Sequence, residues 1–532
     1  MRIDSSYALS RVPRLLTAAL AGLALAGGAA VPVRAAAAAP APPVDAVPTP
    51  VLDWRPCHDI AECATVRLPL DYDEPTGETV GVGVLRVRAR DQAHRIGSLF
   101  VNPGGLGNPA TALALSAPTL LSGPLLDRFD IVGVDPRGVG SSEHLDCFTS
   151  AADRAEVLDL LSVPFPVTRA ETDDYLRGSR LLGQACSTTG RRLAGSVSTA
   201  ETAQDMDVIR RAVGDEKLTY YGRSYGSQLG QVYANMFPDR FRALAVDGTF
   251  DPTAWVGRTT RVIFDERAHF SNGTYRTLIE VLRRCDTAGE RYCVFAAGDP
   301  VRNFDSIARR LRHRSLVFDG GTMTYAEFVM ATSTSLFRPD AGARVTRIAA
   351  DVRTALDDGP DPATAERLRA VVAAVRAVAD DNMTEAGKAL QCTDGLYPAD
   401  VASWPAAVAA RNRQAPYFGS VWGWFDSVCA RGTWTVRDED AYTGPFNRRT
   451  EAPVLIVGAI HDPGTNYRGA VAASLLLPHS TLLTSNNWGH TSYGRGPCVT
   501  ARIDAYLLSG EPPTGGATVC TDAPQPFLEP LP

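Results

Sequence analysis

A serine flanked by two glycines, Gly222-Arg223-Ser224-Tyr225-Gly226, stands between the apolar run 218–221 and a segment where Leu229, Val232, Tyr233 and Met236 recur at helical spacing. A chain that passes from buried strand to helix through so short a segment must turn sharply. The turn pushes the serine hydroxyl out above the strand end, and the glycines sit where main chains crowd. An ordinary Gly-rich turn would need neither the strand before it nor the helix after it. The pentapeptide therefore places a nucleophile at the carboxyl end of a strand.

Apolar runs at 80–87, 97–101 and 130–134, each bounded by Gly, Pro or Asp, predict strands before the serine; runs at 243–246, 454–457 and 481–483 predict strands after it. Ser198 and Glu201 have the spacing of a capping box, Met206, Ile209 and Val213 continue the helix, and Gly214 ends it. Strands alternating with helices predict an α/β fold with a mostly parallel, doubly wound sheet. Residues 251–450 break the alternation. Helical patterns at 277–284, 304–311 and 365–378 predict a large helical cap inserted between two late strands, over the sheet edge where the serine emerges. The core is then 51–250 together with 451–532.

A serine hydroxyl is a weak nucleophile at neutral pH, so it needs a base to take its proton and a carboxylate to orient that base. Asp462 follows the run 454–457, and His490 follows the run 481–483 in Gly489-His490-Thr491, so both fall at carboxyl ends of strands and in the order Ser, Asp, His. Asp247 also ends a strand and ranks second as the acid. His461, beside Asp462, is the rival base; His58, His94, His144, His269, His313 and His479 read as surface or core histidines. Donors for a developing oxyanion are expected from the turn Asn102-Pro103-Gly104-Gly105-Leu106-Gly107 and from the residue after the nucleophile, which selects the amides of Gly105 and Tyr225. No Gly-Lys-Ser/Thr closes the glycine turn, which argues against a phosphate loop.

The 532 residues carry a formal net charge of −6 at pH 7 without a clustered basic run, so nucleic acid and anionic membrane are not expected partners. Arg2, Arg11 and Arg14 precede an Ala/Leu/Gly stretch at 15–33, and small residues follow it. Residues 1–39 therefore read as a secretory signal with its cleavage region, and 40–50 as a flexible lead-in. A released protein without a membrane anchor is expected. Ten cysteines in an exported chain suit disulfides. Sequence order suggests neighbouring pairs, Cys57 with Cys63, Cys147 with Cys186, Cys285 with Cys293, Cys392 with Cys429 and Cys498 with Cys520, and leaves other connectivities open. Without a Cys-x-x-Cys and with scattered histidines, no metal site is expected.

Several motifs agree in order with one family: Asp53-Trp54 with the early cysteines, the Val66 to Asp73 lead-in, Asn102-Pro103-Gly104-Gly105, Asp135-Pro136-Arg137-Gly138 with Gly140-Ser141-Ser142, the Ser224 turn, Asp462-Pro463 and Gly489-His490-Thr491. In these the mature chain resembles the secreted bacterial tripeptidyl aminopeptidases, in the proline-iminopeptidase-like branch of the α/β-hydrolases. It departs from the pattern at Leu106, where the family commonly has proline, and at Thr465-Asn466, where Thr-Pro is frequent. The resemblance implies an α/β-hydrolase fold and a serine peptidase, needing no cofactor, that cleaves short, typically three-residue peptides from the free amino terminus of oligopeptides or proteins. Such an exopeptidase needs an acidic partner for the substrate ammonium group. Asp394, near Cys392 in the inserted region, is the candidate; a solvated or capping carboxylate is the alternative. The same triad also suits a secreted esterase, and the scaffold suits a non-catalytic binding protein.

Overall fold

The computed structural model describes residues 43–257, 261–377 and 383–531; the expected signal at 1–39 lies outside them. Ten strands form one sheet: β1 (Arg55–Cys57), β2 (Ala61–Pro69), β3 (Thr79–Val87), β4 (Gly97–Asn102), β5 (Phe129–Val134), β6 (Leu218–Arg223), β7 (Phe241–Asp247), β10 (Val454–His461), β11 (Ser480–Trp488) and β12 (Val519–Cys520). Their order is β1-β2-β3-β5-β4-β6-β7-β10-β11-β12. The pairs from β1 to β3 and the β3–β5 pair are antiparallel, and every pair from β5 to β12 is parallel. Strands β8 (Leu316–Phe318) and β9 (Gly321–Met323) make a separate hairpin.

The side-chain period of two builds a core on each face of the sheet. Phe100, Tyr220, Leu244 and Ile456 enter the larger core, while Leu99, Val101, Tyr221, Ala245, Leu455 and Val457 enter the other. Strands apolar on both faces need helical cover on both, which is why these runs are continuously apolar and parallel. Ser198 caps the helix Thr199–Ala212 through the Glu201 amide at 3.2 Å. Only half of the expected capping box forms. Asp438 accepts from the Ser198 amide at 3.1 Å, and the Glu201 side chain pairs with Arg137 at 2.7 Å.

Arg137 explains the Asp-Pro-Arg-Gly motif. Its buried guanidinium also binds both Asp205 oxygens at 2.8 Å and the carbonyls of Pro69 and Leu70 at 2.8 and 2.7 Å, and Tyr72 donates to Asp205 at 2.8 Å. A fully buried arginine persists only when its charge and donors are met, so this knot ties the end of β2 to the Thr199–Ala212 helix. The lead-in expected to be flexible is instead docked from residue 43 onward. Val44 and Val47 are buried, Arg211 donates to their carbonyls, and Asp45 pairs with Arg240 at 2.7 Å.

Between β7 and β10 the described chain is mostly helical, with the β8–β9 hairpin and a non-helical stretch at 430–453, and has long helices at Phe270–Ala288, Pro300–His313, Ala341–Asp357 and Pro362–Arg376. A second helical stretch, Ala151–Asp159 and Arg169–Thr188, lies between β5 and β6. The cysteines pair as their sequence order suggested: Cys57–Cys63, Cys147–Cys186, Cys285–Cys293, Cys392–Cys429 and Cys498–Cys520. Among the described residues no helix is long and apolar enough to cross a membrane.

Candidate active site

Ser224 sits between β6 and the helix Tyr225–Met236 with φ +55° and ψ −120°, a conformation unfavourable for a residue carrying a Cβ. Strain of this kind persists where surrounding contacts over-determine it. The Ser224 amide donates to the Asp247 carbonyl at 2.8 Å. On the other side, a Cβ on Gly104 would stand 2.5 Å from Ser224 Cβ and 2.9 Å from the Tyr225 nitrogen. A Cβ on Gly226 would meet Asn102 Oδ1 at 2.9 Å. The glycines are thus where three main-chain segments converge on one serine, which remains partly exposed.

The ends of β10 and β11 bring Asp462 and His490 together. His490 Nδ1 lies 2.8 Å from Asp462 Oδ2 and 3.1 Å from Oδ1; the carboxylate is buried and the imidazole 18% exposed. Asp462 Oδ1 accepts from the Gly464 amide at 2.9 Å, and Oδ2 from the Thr491 amide at 3.2 Å and Thr465 Oγ1 at 3.0 Å. Those donors fix the carboxylate, and the carboxylate in turn selects the imidazole tautomer with Nδ1 protonated. The ring edge borders the turn after β7, the turn that also holds the serine main chain. A Cβ on Gly248 would meet His490 Cε1 at 3.0 Å, and the preceding residue, Asp247, holds the Ser224 amide.

Asp247 itself is turned elsewhere. Its oxygens accept from the Ser492 amide at 2.8 and 2.9 Å, the Tyr493 amide at 2.9 Å and Tyr221 Oη at 3.0 Å. Complete burial raises its pKa despite these donors. His461 stacks flat on Trp488 with centroids 4.0 Å apart, and burial beside Arg284 lowers its pKa to about 4. It is a neutral packing group. The Asp247 carboxylate is thus turned to amides and Tyr221 and the His461 ring to Trp488, while Asp462 and His490 bond each other.

The glycine turn after β4 has two successive left-handed residues, Gly104 at φ +76° and Gly105 at φ +61°. Asn102 Oδ1 accepts from the Gly104 amide at 2.9 Å, which pins the turn. Asp135 holds its far end by accepting from the Thr111 amide and hydroxyl at 2.8 and 2.9 Å and from the Ser141 amide at 2.8 Å. The Gly105 amide and the Tyr225 amide, the first of its helix, have no backbone partner among the described residues, as donors for a substrate oxygen require.

Asp394 ends the helix Met383–Asp394 and is buried rather than solvated. Oδ1 accepts from the Thr199 amide at 2.8 Å; Oδ2 accepts from the Thr199 hydroxyl and from Trp255 Nε1 at 2.7 Å. Burial raises its pKa to about 6. This clasp joins the inserted region to the core, so the oxygens expected to meet a substrate ammonium group are committed to internal donors. The Thr199 hydroxyl also bonds Tyr225 Oη at 2.8 Å, and the Tyr225 ring packs on Trp255.

Residues of the insertion that the sequence did not single out touch the site directly. Phe337 accepts from the His490 amide at 3.0 Å and packs edge-on against its ring. Trp422 packs on Phe337, and the helix Met383–Asp394 leans on the glycine turn where Gly387 meets Leu106. Thr465 was visible only as a departure from a family pattern. Its hydroxyl lies 3.2 Å from His490 Nδ1 as well as 3.0 Å from Asp462.

Residues 98–284 match the alpha/beta hydrolase fold family and residues 415–520 match the TAP-like proteins. The chain is 30% identical over 502 residues to carboxylesterase B of Mycobacterium tuberculosis, covering 87% of this chain and 88% of that protein. It is 29% identical over 493 residues to a tripeptidyl aminopeptidase of Streptomyces coelicolor, covering 86% and 84%. It is also 28% identical over 501 residues to the serine protease Hip1 of Mycobacterium tuberculosis, covering 88% and 90%. With the strained Ser224 turn and the Asp462–His490 pair at the same sheet edge, these likenesses make the chain a serine hydrolase, and it belongs to the tripeptidyl-aminopeptidase-like family of α/β-hydrolases.

Proposed function

We propose that this protein is an exported serine exopeptidase that releases short peptides, three residues long, from the free amino termini of oligopeptides or proteins. The observation that carries the mechanism is the Asp462–His490 pair, with the His490 ring against Gly248, next to the residue whose carbonyl holds the Ser224 amide. Ser224 Oγ attacks the scissile carbonyl while His490 Nε2 takes its proton. The Gly105 and Tyr225 amides stabilise the oxyanion, and His490 then protonates the departing amine. Water then attacks the acyl-enzyme carbonyl as His490 takes its proton; the acyl–Oγ bond breaks, His490 returns the proton to Ser224 Oγ, and the peptide leaves with a free carboxyl group. Asp462 orients His490 and stabilises the imidazolium without taking the proton.

Export is supported by the signal-like pattern of residues 1–39 and by five disulfides, which persist in oxidising compartments. Peptide substrates are supported by the two peptidase relatives, and a part for the insertion at the site by Phe337, packed on the His490 ring, with Trp422 against it. A second reading, a carboxylesterase using the same triad, is favoured by the relative named carboxylesterase B.

Hydrolysis of a tripeptide anilide with a free amine, the same compound N-acetylated, and an aryl ester separates the two. The exopeptidase reading expects turnover of the first, loss on acetylation, and loss in Ser224→Ala. Cleavage of the ester alone makes the protein an esterase, and no turnover of all three contradicts both.

A further inference from the structure

Arginines in this protein are normally paired when they are buried: Arg137 has Glu201 and Asp205, Arg210 has Asp207, and Arg411 has Asp265. Arg223 and Arg495 are not, a property they share with Arg431. Each is only partly exposed, the Nε of each is buried without a hydrogen-bond partner, and neither has a carboxylate within ion-pair distance among the described residues. Both stand at the candidate active site. Arg223 immediately precedes Ser224, and Arg495 follows the His490 loop, its amide bonded to the Ser492 carbonyl at 3.0 Å.

Asp247 links the two. It lies opposite Arg223 in the β6–β7 register and binds the Ser492 and Tyr493 amides just before Arg495. Its oxygens are committed to those amides and to Tyr221, so it leaves the guanidinium groups unpaired. A third arginine completes the group. Arg338, exposed on the insertion, follows Phe337, which accepts from the His490 amide, and a Cβ on Gly489 would meet the Arg338 carbonyl at 2.8 Å. Arg495 feels both others: burial, Arg223 and Arg338 lower its pKa against the smaller opposing pull of Asp247. Asp247 is the fixed anion near Arg223 and Arg495, but its oxygens are taken by amides and Tyr221, so three cations without a hydrogen-bonded carboxylate among the described residues form a site for an anion that arrives with the substrate.

The direction follows from the chemistry. A histidine that protonates the leaving group must face it, so the departing half of the substrate lies on the side of the His490 loop. Arg495 and Arg338 stand on the two segments that carry and contact that histidine. We propose that Arg223, Arg338 and Arg495 form a subsite on the leaving-group side of Ser224 that reads a carboxylate on the departing half of the substrate. Resting on the exopeptidase reading, the proposal names the substrate class: short peptides whose departing part bears a carboxylate, supplied by its own C-terminus or by an acidic side chain. Planar guanidinium groups suit bidentate carboxylate recognition, which a lysine at the same place would match only as a point charge.

The test compares kcat/KM for Ala-Ala-Ala-Ala as free acid and as C-terminal amide, and for the amides Ala-Ala-Ala-Asp and Ala-Ala-Ala-Asn. At low salt the wild type is expected to favour the carboxylate in at least one pair by about tenfold or more, equal to about 1.4 kcal/mol. The free-acid pair reports a C-terminal source and the Asp/Asn pair a side-chain source. Arg338→Gln and Arg495→Gln should shrink that ratio toward about one, with Arg338→Lys retaining part of it. Arg338 is exposed, so its replacement leaves the fold intact. Equal rates within both pairs, or a preference unchanged in both glutamine variants, would overturn the proposal. If no peptide is cleaved, the exopeptidase reading has failed instead. The subsite is then judged on acetyl esters of hydroxybenzoate and of its methyl ester, where the same carboxylate preference and the same loss in the variants are required.

Discussion

Asp247 and Asp462 end neighbouring strands, β7 and β10, and both are buried carboxylates, yet they face different partners. Asp462 directs an oxygen to the imidazole of His490, whereas Asp247 spends its oxygens on the main chain two and three residues farther along. One orients the ring and the other holds the loop that carries it. The contrast teaches that a strand end selects where an acid can act, but the donors placed opposite decide what it does. A charge aimed at an imidazole stabilises the imidazolium; a charge aimed at amides fixes a backbone.

Asparagine substitutions separate the two roles. Asp462→Asn keeps the shape but removes the anion that selects the tautomer, so kcat should fall by about 10⁴-fold with the melting temperature little changed. Steady-state kinetics alongside thermal unfolding check this. Gly104→Ala probes the ground between the two acids and the glycine turn. Its Cβ would overlap Ser224 Cβ at a positive-φ position, and displaced oxyanion donors should cost about 100-fold in kcat with smaller change in KM. Asp247→Asn should instead lose about 2 kcal/mol of stability, measured by urea unfolding, and about tenfold in kcat through looser placement of His490. A loss equal to that of Asp462→Asn would erase the distinction.

The smallest effect concerns acids that lie far from the imidazole. Burial raises the pKa of Asp394 and of Asp438 to about 6, above the unfolded value near 4. A carboxyl group that binds its proton more tightly when folded adds stability as pH falls, so the contribution grows from about pH 6 toward about pH 4 and is absent above the folded pKa. Melting curves across that window should show the wild type gaining a few degrees relative to Asp394→Asn as the pH is lowered.

Much of the core was legible because continuously apolar strands leave a local trace: the runs at 97–101, 130–134 and 243–246 fall inside β4, β5 and β7. The antiparallel strand β2 was not marked as a strand. Its residues alternate between core and solvent only in part, and its pairing with β3 spans separate segments. The helix Arg169–Thr188 was passed over although Thr168 and Glu171 form a complete capping box at its start. Asp462 and His490 could be ranked first from order along the chain, but nothing local separates Asp462 from Asp247, since the deciding amides of Ser492 and Tyr493 lie about 245 residues beyond the latter. The internal donors around Asp394, the candidate partner for a substrate ammonium group, were hidden for the same reason, with Thr199 reaching it from 195 residues away.

Covalent labelling by a fluorophosphonate tests the central claim most directly, because phosphonylation needs an activated serine and ignores how a peptide binds. Mass spectrometry of the labelled protein should place the adduct on Ser224. The labelling rate should fall by about 10³-fold or more in Asp462→Asn and stay within about tenfold of wild type in Asp247→Asn. An adduct on another residue, or equal slowing by the two asparagine variants, would contradict the assignment of Asp462 to the imidazole and Asp247 to the loop.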